Sequence, residues 1–436
     1  MNILLIFPKV EYSYDNISKK RELLNKITGE AISLTLPQVA AATPKKHNVE
    51  IIDENYEKLE FKKNIDIVGI TCLTMSALRA YKIADKFRSA GVTVILGGNH
   101  ASALPDEAKQ HADSVVIGEA EESWPQLLKD FENKQLKPFY KSNKYIPPER
   151  IPEPRRDLIR RKITMDGLLI KRGCPHHCEF CTVTTIYNKQ IKSLNKVLKE
   201  IDNIKSNDIF IYDQNLTWNM EYTKKLLTEL NRFKKRWLAN GTVNVLSKND
   251  EFLKLAKEAN IYYWYVGFES ISQESLDGSN KKHNKVETYI KAIKKIKEHG
   301  MIINGSFMFG FDNDTPDIFD NTLNTINKWD IDMAEFHIIT PFPGTDLYKR
   351  LKKEDRIITE DWNKYSTANV VFKPKKMSTE ELFDGVKKVA RNFYTITKIL
   401  KRSIKAYKTT SSLNIFFLVL LRNLRYRERY KNQFNF

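Results

Sequence analysis

Residues 168–181 read LLIKRGCPHHCEFC, and the rest of the chain arranges itself around this stretch. The run at 168–171 has the composition of a buried strand. The loop after it sets Cys174, Cys178 and Cys181 at Cys-x3-Cys-x2-Cys spacing. Three thiolates on one tight loop can hold three irons of a cubane cluster and leave the fourth iron without a protein ligand. A structural zinc loop is one alternative, but such a site takes four donors in two pairs, and His176 or His177 would have to bend back within the same loop. Three buried, inert cysteines are the other. The chain has four cysteines, the last being Cys72, so three crowd into one loop. That excludes a dispersed disulfide framework and points to a reduced, cytoplasmic setting.

Downstream, apolar runs at 208–212, 238–243, 262–267, 303–309 and 334–339 alternate with helical patterns such as 286–299, which stops at Gly300. Thr315 and Pro316 have the chemistry to cap and open a further helix. Six βα units in all predict a partial barrel. Upstream, runs at 3–7, 49–52, 65–71, 93–96 and 114–117 alternate with helical segments such as 76–90, which predicts a doubly wound parallel sheet covered on both faces. Between the two series the chain is polar and rich in proline. Past Pro341 the periodicity weakens, and Ser378 and Glu381 form a capping-box pair opening a helix to about Tyr394. The expected order is therefore α/β throughout. A doubly wound domain spans 1–132, a linker 133–160, a partial (β/α)6 barrel 161–345, and a helical C-terminal extension 346–436.

The chain has 436 residues, 41% apolar and 11% aromatic, enough for more than one core. Its net charge of +18 is uneven: residues 391–436 carry eleven Lys and Arg against one acid, which accounts for +10. The question of an acidic partner thus concerns the tail. There Ile415–Leu421 is an apolar strip between basic flanks, too short to span a bilayer and suited to lie on an anionic membrane face. A packed terminal helix with a solvated basic face is the alternative. Nucleic acid is a third reading, but no recognised nucleic-acid module accompanies the basic residues. The N-terminus reads as a first strand and not as a signal peptide.

Several residues sit where such folds place ligands. Asp213 and Asn215 follow the second barrel strand, at the rim where barrel enzymes put their chemistry. Glu269 ends the fourth strand, while Gly305 and Gly310 flank the fifth. Helix capping, structural hydrogen bonds or strand geometry could equally fix these types. In the N-terminal domain, Thr71 and Leu73 follow the third strand and Gly97-Gly98 ends the fourth, at the crevice where open α/β sheets bind ligands.

The cysteine array, with Phe180 before its third cysteine, resembles the radical SAM superfamily. That resemblance implies a [4Fe–4S] cluster on Cys174, Cys178 and Cys181. The open iron takes S-adenosyl-L-methionine, whose reductive cleavage gives a 5′-deoxyadenosyl radical. It further implies that Asp213 and Asn215 help hold the cofactor's amino group, Glu269 its ribose, and Gly305 and Gly310 its adenine. The segment from Ile65 to Trp124, with VILGGNHASALPDEA and DSVVIGEAEES, resembles cobalamin-binding domains fused to such barrels. There Thr71-x-Leu73 matches a Ser-x-Leu element, and Gly97-Gly98 matches the paired glycines. The cobalt-ligating Asp-x-His-x-x-Gly motif is absent, and no His precedes His47. The stretches VGFESISQESL, NGSFMFGFDND, ITPFPGTDLY and NVVFKPKKMSTEEL extend the likeness, to a class that includes an anaerobic chlorophyll-ring cyclase and hopanoid-modifying enzymes.

The implied activity is cobalamin-dependent C-methylation of an unactivated carbon, with no catalytic acid or base assignable. Ring closure, ring contraction or carbon–carbon coupling with the same cofactors is the alternative. A non-catalytic cobalamin or redox carrier is more remote. Methylthiotransfer needs three further cysteines, which the chain lacks. The expected partners are a small, lipid-like substrate and a reducing protein such as a flavodoxin or ferredoxin.

Overall fold

The computed structural model describes residues 1–10, 31–61, 64–141 and 146–436. Its N-terminal part is an all-parallel six-stranded sheet. The strands are β1 (Asn2–Phe7), β2 (Asn48–Asp53), β3 (Ile67–Thr71), β4 (Thr93–Gly97), β5 (Ser114–Ile117) and β6 (Phe139–Lys141), in the order β2-β1-β3-β4-β5-β6. The central strand β3 is buried at every position because helices cover both faces. The chain reverses direction across the sheet beside β1 and β3, so the carboxyl ends there open into a crevice.

β6 lies in the stretch expected to be linker. It pairs with β5 because Tyr140, 5% exposed, turns inward and donates from its hydroxyl to Asp130 at 2.9 Å. Three residues with one buried side chain are too few for a period of two to show.

The second sheet is also all parallel, in the order β14-β13-β12-β11-β10-β7. Its strands are β7 (Met165–Leu168), β10 (Asp208–Ile211), β11 (Arg236–Gly241), β12 (Ile261–Glu269), β13 (Ile302–Phe309) and β14 (Met333–Ile338). Six strands with outer helices make the partial barrel. The first strand ends at Leu168, three residues short of the expected run, because the Asp213 carboxylate takes the N–H groups of Ile170 and Lys171 at 2.8 and 2.9 Å. Lys171–Arg172 (β8) instead pairs antiparallel with Gln190–Ile191 (β9), and this short ribbon frames the cysteine loop. The helix expected to open at Thr315 spans Ile318–Lys328; the Thr315 hydroxyl bonds Asp317 and caps nothing.

The capping box forms as read. Glu381 N–H donates to Ser378 Oγ at 3.1 Å and Ser378 N–H to Glu381 Oε2 at 2.7 Å, opening the helix Thr379–Phe393. Two more helices follow, Ile396–Thr410 and Leu413–Phe434. The last one crosses the base of the barrel. Val419 packs with Met165, Leu238, Ile302 and Met333 from the strand starts. Tyr426 donates to Glu335 at 2.8 Å, and Arg429 pairs with the same carboxylate at 3.0 Å. The strip Ile415–Leu421 is therefore split: Val419 is buried on the barrel and Phe417 stays exposed. No helix among the described residues is long and apolar enough to cross a membrane.

Candidate functional site

The cysteine loop stands at the carboxyl end of β7, held from several sides by backbone bonds. Gly173 has φ +72°, and a Cβ there would meet Asn188 O at 3.0 Å, so only glycine lets the loop pass under the β9 strand. Glu179 N–H donates to Ser279 O at 3.0 Å, and Asn280 donates from its amide to His177 O at 2.7 Å. These bonds tie the loop to the turn after β12. Arg350 grips the Glu179 carboxylate, with Nη2 at 3.2 Å from Oε2.

Burial pushes all three thiols up, Cys178 to about 12, while the Lys281 ammonium opposes that shift. Lys281 donates to Glu269 Oε1 at 2.5 Å, and Ser306 donates to Glu269 Oε2 at 3.3 Å. Burial works against the Lys281 charge, but Glu269 and the Cys178 sulfur carry its pKa above the usual value. Glu269 has φ +64°, a left-handed conformation that a non-glycine residue holds only where its surroundings enforce it. Lys281 had no signal in the sequence, since nothing local distinguishes it from its neighbour Lys282.

The donor set decides between metals. His176 stacks on His283 with ring centroids 3.5 Å apart, and burial lowers the pKa of both, that of His283 to about 3. The His176 ring is thus engaged by His283, and His177 is exposed. Among the described residues, no three His, Cys, Asp or Glu side chains converge on the radius of a single ion. A cubane, which takes each thiolate on a different iron, fits this loop; a tetrahedral zinc ion does not.

The other residues expected at this site divide. Phe180 sits edge-on to Phe311 at 6.1 Å, with the Lys281 ammonium 6.0 Å from its ring. Asn215 is buried, accepts from Thr217 N–H at 2.9 Å and reaches the Cys174 thiol. Asp213 is fully buried; one oxygen is engaged by backbone N–H groups and the other has no partner, and burial lifts its pKa to about 6. Gly305 and Gly310 are held by packing. A Cβ on Gly305 would press on Phe268 and Phe307 at 3.0 Å, and one on Gly310 would meet Leu382 at 2.8 Å. Neither glycine needs an adenine to explain it.

A deep cleft lies at the carboxyl ends of β3, β4 and β5. Thr71, Leu73, Gly97 and Gly98 all line it, and Arg172, Tyr187, Tyr212 and Gln214 of the barrel wall its far side. Gly98 has φ +91°, and a Cβ would strike Thr71 Oγ1 and Cys72 N at 2.8 and 2.9 Å, so it is required by the loop itself. At Gly97 a Cβ meets only Val116, at 3.7 Å, and at Gly118 nothing lies within 4 Å. Both line the cleft, so their missing side chains leave a flat cradle for a broad planar ligand. Among the described residues no histidine lines it. His100, close in sequence, is buried between Thr74 Oγ1 at 3.3 Å and Glu107 Oε1 at 3.2 Å. The loop after β1 falls at 11–30, outside the described residues.

Comparison with known proteins agrees with this geometry. The radical SAM superfamily model matches residues 168–326, the B12 binding domain model 21–128, and a domain of unknown function (DUF4070) 345–417. Bacteriochlorophyllide d C-8(2)-methyltransferase of Chlorobaculum tepidum is 34% identical, covering 89% of this chain and 90% of that protein. Bacteriochlorophyllide d C-12(1)-methyltransferase of the same organism is 31% identical over 85% and 84%. The solved structure of the cobalamin-dependent S-adenosylmethionine radical enzyme OxsB, with aqua-cobalamin and S-adenosylmethionine bound, superposes with a TM-score of 0.70 at 16% identity. It covers 93% of this chain and 70% of that one, and shares the fold. With a cluster loop, a glycine cradle and relatives this similar over most of their length, the chain belongs to the cobalamin-dependent radical SAM enzymes.

Proposed function

We propose that this enzyme methylates an unactivated carbon of a large, apolar, ring-based substrate. The observation that carries the proposal is the shared cleft: the glycine cradle and the barrel residues beside the cysteine loop wall one space. When bound, the cluster and S-adenosylmethionine supply hydrogen abstraction, and cobalamin supplies the methyl group. The chain's own work is positional. Cys174, Cys178 and Cys181 hold the cluster, and Lys281 with Glu269 sets one cation and one carboxylate beside it. Asn215 orients the Cys174 sulfur, and Thr71, Leu73, Gly97 and Gly98 seat the corrin. Arg172 bridges Glu119 at 2.7 Å and Glu121 across the cleft wall, where buried charge pairing excludes water. Two relatives are methyltransferases of bacteriochlorophyllide d, which supports a large ring-based substrate. A flavodoxin or ferredoxin as reductant, and a working place at the inner membrane face where such substrates dissolve, belong to the same proposal.

The test is an anaerobic assay of reconstituted protein with methyl-labelled S-adenosylmethionine, cobalamin, reductant and bacteriochlorophyllide d as trial substrate. Label in the product together with 5′-deoxyadenosine is the expected result, and Cys178→Ala should abolish both. 5′-Deoxyadenosine with an unlabelled, newly cyclised product would favour ring closure instead. No 5′-deoxyadenosine at all would leave only a carrier.

A further inference from the structure

We propose that the outer face of the C-terminal helical hairpin is a docking surface for an anionic phospholipid bilayer. Eleven large apolar side chains are exposed among the described residues, and six of them fall on this hairpin: Ile396, Leu400, Ile404, Tyr407, Leu413 and Phe417. The first four recur at spacings of four, four and three along the helix Ile396–Thr410, so they form one stripe. Leu413, 63% exposed, and Phe417, 53% exposed, extend it past the turn at Ser411 and Ser412.

The stripe is held out rigidly and is not a frayed end. On the opposite face Ile399, Arg402, Ser403 and Ala406 are buried. The Arg402 guanidinium donates to Asn423 Oδ1 at 2.9 Å and to Phe393 O at 3.0 Å, which locks the two helices together. A folded helix whose inner face is satisfied has no internal reason to carry isoleucine and leucine outside as well.

Charge chooses the occupant. Lys401 and Lys408 are exposed beside the stripe, with Lys405 between them paired to Asp330 at 3.2 Å, and the last 46 residues themselves hold eleven basic side chains against one acid, Glu428. A second copy of the same face would be repelled. An anionic headgroup layer meets the lysines while the apolar stripe sinks to the acyl boundary. Of Ile415–Leu421, Phe417 is exposed and joins this stripe, while Ile415, Leu418 and Val419 pack against the barrel base. The hairpin also sits at the strand starts, at the end of the barrel opposite the cysteine loop, so docking leaves the cleft and the cluster edge open. The inference rests on the proposed function only for its purpose, a substrate dissolved in the membrane; the contact itself stands on these residues.

The test is co-sedimentation of the full-length protein with vesicles of equal parts phosphatidylglycerol and phosphatidylcholine, without substrate or cofactors. Wild type should pellet with them, bind pure phosphatidylcholine at least tenfold more weakly, and release partly in 1 M salt as the Debye length shrinks to about 3 Å. The double variant Leu400→Glu/Ile404→Glu should lose at least tenfold in partitioning. Ile290→Glu, an equally exposed apolar site on the barrel, should not. Lys401→Glu/Lys408→Glu gives the charge arm without touching the apolar stripe. Equal binding by wild type and both hairpin variants would overturn the proposal. So would a wild-type dimer that ignores vesicles and dissociates on the same substitutions. Failure of methyl transfer with vesicle binding intact would instead count against the proposed reaction alone.

Discussion

Lys281 and Glu269 meet inside the barrel, both about nine-tenths shielded from solvent, and their pairing shows how narrow the tolerance at this site is. Removing one partner of a buried pair leaves an uncompensated charge and costs about 3–5 kcal/mol, whereas replacing both is far milder. Lys281→Met should therefore destabilise the cluster-free protein by about that amount in urea unfolding, and Lys281→Met/Glu269→Gln should recover most of it. The neighbouring glycines separate in the same way by cause. Gly97→Leu places its side chain into the cleft and should abolish cobalamin binding, read by absorbance of the protein-bound corrin, with the fold intact. Gly98→Ala puts a Cβ against backbone at a glycine-only φ and should cost stability first, about 1–3 kcal/mol, whether or not cobalamin is present.

At the scale of elements, the turn after β13 is organised by one carboxylate. Asp314 accepts from Gly310 N–H at 3.0 Å, Phe311 N–H at 3.1 Å and Ser275 Oγ at 2.7 Å. Burial lifts its pKa to about 6. An acid whose folded pKa exceeds its unfolded one binds more protons when folded, so its contribution to stability is present below about pH 4 and is lost as pH rises to about 6. Asp314→Asn keeps the acceptor oxygen and, with Ser275 reversing its role, the turn as well. Relative to this variant, wild type should lose about 3 kcal/mol across that window, at about 1.4 kcal/mol per unit. Urea midpoints of the two proteins between pH 4 and 7 check this. Equal slopes would show that Asp314 titrates normally.

At the scale of the whole molecule, the two sheets are joined by buried charge. Arg172, leaving the cysteine strand, pairs with Glu119 and Glu121 of the N-terminal domain, and Gln190 donates to the other Glu119 oxygen at 3.0 Å. All three ionic side chains are under 10% exposed. Arg172→Leu should leave two carboxylates buried without a cation and lower the unfolding free energy by about 3–5 kcal/mol. Because the same residues wall the cleft, cobalamin should also bind more weakly. A second joint lies on the other flank, where Glu107 accepts from His100, Tyr81 and, at 2.9 Å, the Trp362 indole of the C-terminal extension. The extension therefore braces the cobalamin domain as well as closing the barrel.

What the sequence by itself determined was local: three thiols on one loop, two series of strands alternating with helices, a capping box, and a tail with eleven basic residues and one acid of its own. Each of these is set by neighbours within a few residues, where spacing and periodicity act directly. The crevice glycines were legible for the same reason, since a strand end and a tight turn lie side by side in the chain. Only the tertiary structure decided the rest. Lys281 faces the thiols because the segment after β12 is tied to the cysteine loop through Ser279 and Asn280, and no period links positions so far apart. Asp213 spends an oxygen on the backbone of Ile170 and Lys171 because β10 lies beside β7, which also shortens the first strand. The tail's apolar residues split between the barrel base and solvent according to which helix faces meet the strand starts. A hydropathy window reports that side chains are apolar; only packing decides which of them find something to bury against.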